Sequence, residues 1–110
     1  MARSASTPEP RRGEIWLAEL DKRRPVVVLT RDPLGRYLHS VIVAPVTSTV
    51  RGVSTEVELG PHDGVPKPSV ANLDNVQLVA RSRLVRPVGV AREGTMGDIC
   101  RALARATGCA

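Results

Sequence analysis

The stretch KRRPVVVLTRD, residues 22–32, sets three cations directly against the apolar run Pro-Val-Val-Val-Leu. Consecutive branched apolar residues with no polar alternation read as a strand buried on both faces. Arg24 stands where that strand begins and is held by Pro25, whose ring restricts φ and which donates no backbone hydrogen bond. An arginine that only keeps a protein soluble needs no such anchoring. One that holds a phosphate in a single geometry does.

The flanking segments supply partners for this strand. GEIWLAEL, residues 13–20, alternates Ile15, Leu17 and Glu19 on one face with Trp16, Ala18 and Leu20 on the other. Only LDKRR, residues 20–24, joins it to the next run, which predicts a tight antiparallel pair. DPLG at 32–35 is a turn, and YLHSVIVAPVTS predicts a third strand ending near Pro45 to Thr47. TEVEL, 55–59, alternates cleanly and should have one solvated face.

A Pro/Gly-rich loop spans 60–69, SVANLDNVQLV predicts one further strand, SRL a short helical turn, and RPVGVA the last strand. The period then changes. Met96, Ile99, Cys100 and Leu103 fall at helical spacing, with Thr95 and Asp98 as the expected capping pair. Gly97 weakens that helix by about 1 kcal/mol relative to Ala, so packing must hold it. The expectation is a mainly β protein of five to seven short, mostly antiparallel strands, strongly bent or closed as a barrel, with a C-terminal α-helix. Residues 1–11, rich in Ser, Pro, Glu and Arg, read as a disordered lead-in, and 12–110 as a single domain.

With 110 residues and only two aromatics, Trp16 and Tyr37, any core must be built from Val, Leu, Ile and Ala. The net charge of +5 attracts polyanions. Only Lys22 and Lys67 among the 16 cations are lysines. Arginine's planar fork suits phosphate, although GC-rich codon usage produces the same skew. Cys100 and Cys109 match no paired-cysteine motif and are expected to be reduced, with Cys100 in the core. His39 and His62 are too scattered to build a metal site with them or to pair as base and acid, so no metal and no cofactor are expected. With no leader-like or membrane-spanning apolar run, a cytoplasmic protein without membrane contact is expected.

Position singles out two polar residues. In a small antiparallel sheet the start of one strand and the end of the next share a rim. Arg24 and Thr47 are therefore expected to face one pocket, with Ser48, Thr49 and Arg51 beside it. Lys22, Arg23, Arg31, Arg51 and Arg81 are candidates for contacts with the phosphates of a polyanion, which strengthen binding without reading sequence.

The order RRGEIW, RPVVV, APVTS, STEVEL, SVANLDNVQLV and RLVRPVG resembles the MazF/PemK family of toxin–antitoxin ribonucleases, over nearly everything from Arg12 to the final helix. The resemblance implies an SH3-like barrel with a C-terminal helix, assembled as a homodimer. It further implies metal-independent cleavage of single-stranded mRNA, rRNA or tRNA at short motifs, leaving 2′,3′-cyclic phosphate and 5′-hydroxyl ends. A cognate antitoxin would block the RNA groove. The family's catalytic arginine and threonine fall on Arg24 and Thr47.

These roles are chemically sound. As the ribose 2′-hydroxyl attacks phosphorus, charge grows on the phosphoryl oxygens, and a preplaced guanidinium stabilises that state most. Arginine stays protonated and cannot be the base. Asp21 is the candidate general base, with Glu19 near it, but neither matches a motif position. The chain departs from the family in its short LDKRR connection, where many members carry a longer loop over substrate. Two alternatives remain: a non-catalytic toxin resembling CcdB that binds DNA gyrase, and a degenerate member that only binds RNA or antitoxin.

Overall fold

The computed structural model describes residues 9–33 and 38–109. The strands, in chain order, are β1 (Glu14–Glu19), β2 (Arg23–Val28), β3 (Ser40–Thr47), β4 (Glu56–Leu59), β5 (Ser69–Asn72), β6 (Gln77–Ala80) and β7 (Leu84–Val90), followed by helix α1 (Glu93–Thr107). They form one antiparallel sheet in the order β4-β5-β3-β2-β1-β7, with β6 paired to β3. The mainly β fold with one C-terminal helix matches the sequence expectation. The sheet bends without closing, since no ladder joins β4 to β7 among the described residues.

β2 is buried on both faces, as its unbroken apolar run predicts. Val27 and Leu29 pack into one core with Ile15, Ala44 and Val46. Val26 and Val28 pack into a second with Trp16, Ala18, Val41 and Val43. Helix α1 closes the first core with Ile99 and Ala102, both fully buried, and with Met96 and Leu103 partly so. Residue period 2 thus divides one strand between two cores.

SVANLDNVQLV is two strands rather than one. β5 ends at Asn72, a 3-10 turn covers Leu73–Asn75, and β6 restarts at Gln77. The Asn72 side chain accepts the Asp74 backbone N–H at 2.9 Å, a local bond that competes with a continuing ladder. β3 takes both strands on one edge: Ser40–Val43 pair with β6, and Val46–Thr47 pair with β5. Pro45, which has no N–H to offer, sits in the gap between them.

The start of α1 also differs from expectation. The helix begins at Glu93 with Arg92 at its N-cap, and the cap comes from a distant chain segment. Asp63, 2% exposed, accepts the Arg92 backbone N–H at 3.0 Å and the Thr95 hydroxyl at 3.4 Å. Asp98 pairs instead with Arg101 at 2.5 Å. The Asp63 turn reaches this place because it crosses β7 at two glycines. A Cβ on Gly89 would sit 2.2 Å from the Asp63 carbonyl oxygen, and Gly64 has φ +87°.

Cys100, expected in the core, is exposed, and its sulfur accepts from Arg12 Nη2 at 3.0 Å. Helical spacing alone could not say which side of the stripe it joins. Of the expected lead-in, residues 1–8 lie outside the described residues, while Arg11 already donates its N–H to Glu14 Oε1 at 2.7 Å. Tyr37 and the second half of the DPLG turn also lie outside the described residues.

Candidate active site at the rim between the second and third strands

Val26 faces Pro45 in the β2–β3 ladder. Two residues further out, the same register carries Arg24 and Thr47 to the face that holds the second core. Pro25 removes the next donor, so the ladder stops there. β2 continues beside β1, where Ala18 faces Arg24, while β3 continues beside β5, where Thr47 faces Val70. The two strands part, and an open groove of about 690 Å³ occupies the space. One wall is Leu20, Asp21 and Arg24. Across from it stand Pro45, Thr47, Thr49 and Arg51. The third wall is the Asn72–Gln77 segment, through Asn72, Asp74, Asn75, Val76 and Gln77.

The Arg24 side chain is 34% exposed. Its Nε donates to Asp21 Oδ1 at 3.2 Å and its Nη2 to Asp21 Oδ2 at 3.5 Å. Two of five guanidinium donors are thereby occupied, and the rest remain for a ligand. The Arg24 hydrogen bond, and next the Lys22 backbone N–H, hold the Asp21 carboxyl below its ordinary pKa. Asp21 is therefore ionised at neutral pH and a weak proton acceptor. It acts on the arginine more than on a substrate proton.

Thr47 Oγ1 accepts the Thr49 backbone N–H at 3.1 Å. With its oxygen so engaged, the hydroxyl proton is free to donate into the groove. The loop beyond is pinned by Glu56, which accepts the N–H of Arg51 at 3.1 Å and of Gly52 at 2.9 Å, so the Arg51 side chain projects from a fixed turn. The third wall is tied to the same loop: Asp74 Oδ2 accepts the Thr55 hydroxyl at 2.6 Å, and Leu73 donates its N–H to the Thr55 carbonyl at 3.0 Å.

Of the residues singled out in the sequence, Asp21, Arg24, Thr47, Thr49 and Arg51 line this one groove. Ser48 is exposed beside Thr47 without lining it, and Arg31 is exposed just past the opposite end of β2. Lys22 is exposed on the β1–β2 connection and Arg23 is exposed at the first position of β2, where it pairs with Glu19. Arg81 is a correction. It is 6% exposed, donates from Nη1 to the Leu38 carbonyl at 2.8 Å and pairs with Glu9 at 3.9 Å, so it serves the fold and not an RNA surface. His39 and His62 are exposed on separate segments. The sequence reading missed Asn72, Asp74, Asn75 and Gln77. The signal was present as a polar cluster interrupting an otherwise apolar strand pattern.

Comparison with known proteins identifies the family. The profile of a family described as PemK-like, MazF-like toxin of type II toxin-antitoxin system matches residues 11–107. The probable endoribonuclease MazF5 of Mycobacterium tuberculosis is 44% identical over 103 residues, covering 91% of this chain and 94% of that protein. Endoribonuclease MazF3 of the same species is 45% identical over 75 residues, covering 68% and 73%. Among solved structures, the M. tuberculosis toxin MazF-mt6 superposes with a TM-score of 0.82 at 38% identity, covering 86% of this chain and 96% of that one. A mycobacterial endoribonuclease in complex with its cognate antitoxin gives 0.83 at 28% identity, covering 92% and 97%. A match over nearly the whole length leaves one conclusion: this chain belongs to the PemK/MazF family of type II toxin–antitoxin toxins.

Proposed function

We propose that this chain is an endoribonuclease toxin that cuts single-stranded RNA in the groove between the β2 start and the β3 end. The observation that carries this reading is the convergence of Arg24 and Thr47 on one open groove, from facing walls. In the reaction the 2′-oxygen bonds to the adjacent phosphorus and the bond to the 5′-oxygen breaks. The 2′-hydroxyl proton leaves to solvent and the departing 5′-oxygen takes one up from solvent, giving a 2′,3′-cyclic phosphate and a 5′-hydroxyl. Arg24, steadied by Asp21, presents its remaining N–H groups to the phosphoryl oxygens as their charge grows, and Thr47 orients the same phosphate by a hydrogen bond from its hydroxyl. Charge stabilisation comes from the guanidinium, so the step proceeds without a metal ion.

The chain's partners are a cognate antitoxin and a second copy of itself. The antitoxin complexes of the mycobacterial and Deinococcus radiodurans relatives support the first. A role in cutting RNA points to the cytoplasm. Among the described residues no helix is long and apolar enough to cross a membrane.

The test is a cleavage assay on long single-stranded RNA in excess EDTA, with wild type and Arg24→Ala side by side and fragment ends mapped. Discrete cuts with cyclic-phosphate ends, lost in the variant, are expected. A folded wild type that makes no cuts would sink the reading, and binding to DNA gyrase would replace it.

A further inference from the structure

Two amides on the third wall of the groove are uncommitted. Asn72 spends its oxygen on the Asp74 N–H, and Asp74 spends Oδ2 on the Thr55 hydroxyl. Asn75 and Gln77 are exposed and line the groove, and their side chains have no hydrogen-bond partner among the described residues. Their placement is not accidental. Gln77 faces Val43 in the β3–β6 ladder, and Val43 lies on the same face of β3 as Pro45 and Thr47. Asn75 and Gln77, two residues apart, flank Val76, which packs against the first core.

A phosphate presents acceptors only. An amide offers an acceptor beside a donor, and that pairing matches the edge of a nucleobase, where donor and acceptor also stand side by side. The absence of stacking partners adds weight. Trp16 is 8% exposed and donates its ring N–H to Glu14, so the one aromatic among the described residues is closed to bases. Recognition in single-stranded RNA commonly combines stacking on aromatics with hydrogen bonds to base edges, and here the second must do most of it.

We propose that Asn75 and Gln77 read a nucleobase next to the scissile phosphate, and that they set the cleavage motif of this chain. The inference rests on the ribonuclease reading above. The Asn72 and Asp74 bonds to the turn and to Thr55 hold these two amides at a constant offset from Arg24 and Thr47. A base engaged by them therefore decides which phosphate meets the clamp.

The experiment uses the full chain as wild type, Asn75→Ala, Gln77→Ala and Gln77→Glu, with circular dichroism to check folding. Cut sites on a long RNA are mapped for each protein. In parallel, fluorescence anisotropy follows binding to short oligonucleotides blocked by 2′-deoxyribose at the attacked position, with each base varied in turn. Wild type is expected to demand one base at a position beside the cut, and the variants are expected to relax that position. In the binding arm, a preference of about tenfold for one base should shrink to about twofold. Unchanged base preference in all variants, by mapping and by binding, overturns the proposal. Where wild type makes no cuts, the ribonuclease reading fails, and the binding arm still decides this one: base-dependent affinity lost in the variants supports it, and affinity blind to the base overturns it. A role limited to folding would weaken all cuts alike and leave the motif intact.

Discussion

Asp21 grips Arg24 from three residues away, with its two carboxylate oxygens 3.2 and 3.5 Å from Nε and Nη2. The carboxylate offsets part of the guanidinium's charge and fixes the plane of its fork. Arg24→Lys keeps the charge and loses the fork, so it should recover little of the cleavage lost in Arg24→Ala, which is expected to fall about 10²–10³-fold. Initial rates on one oligonucleotide, with melting curves as a folding control, check both.

The same contact makes a statement about pH. The folded pKa of Asp21 lies below its ordinary value of 3.8, so the contribution of the Asp21–Arg24 pair is complete above that value. It is lost only as pH falls through the lower folded value. Between pH 5 and pH 9 the rate profile of wild type should carry no inflection from Asp21. Asp21→Asn should lower the rate by a similar factor across that range, because it frees the arginine without removing a base. A wild-type acid limb in that window that vanishes in Asp21→Asn would reinstate Asp21 as the proton acceptor.

Arg51 lines the groove from an exposed turn held by Glu56. A phosphate contact there releases counterions and reads no sequence. Arg51→Ala should weaken binding about equally for all RNA sequences. The slope of log affinity against log salt should drop by about 1. Titrations at several salt concentrations measure it, and an unchanged slope would place Arg51 outside the footprint.

Asp63 is expected to matter for stability rather than catalysis. Its buried carboxylate satisfies the Arg92 N–H and the Thr95 hydroxyl, and also accepts from the Gly60 N–H at 3.4 Å. Asp63→Ala leaves those donors without their acceptor, at a cost of about 1–3 kcal/mol. Asp63→Asn, which keeps one oxygen, should cost less. Urea midpoints at constant m-value separate the two.

Helix docking gives the last prediction. Ile99 is 1% exposed in the first core, so Ile99→Ala should destabilise by about 2–5 kcal/mol. Leu103 is only partly buried, and Leu103→Ala should fall at or below the low end of that range. Thermal melts that rank the two in the opposite order would mean the helix sits otherwise.

Much of this was legible in local pattern. The valines of β2 announced a strand covered on both sides, and Arg24 and Thr47 could be paired from the rule that adjacent antiparallel strands share a rim. What stayed hidden depended on distant partners. The cap of α1 is Asp63, 29 residues before the N-cap it serves. Nothing near Arg81 in sequence shows that it is buried, because its partners are Leu38 and Glu9. The break between β5 and β6 turns on one side-chain bond from Asn72, which outcompetes a strand pattern that runs straight through it.

The division of β2 between two cores has a bearing on how such a protein can change over time. Val26, Val27 and Val28 are each wedged between neighbours on both sides, so the backbone that carries Arg24 tolerates little drift. The amides across the groove, Asn75 and Gln77, are themselves exposed, on a segment anchored in the first core by Leu73 and Val76. On the proposed roles of these residues, phosphate chemistry sits where mutation is costly and base reading where it is cheaper. A lineage built on that plan could change the words it cuts without relearning how to cut.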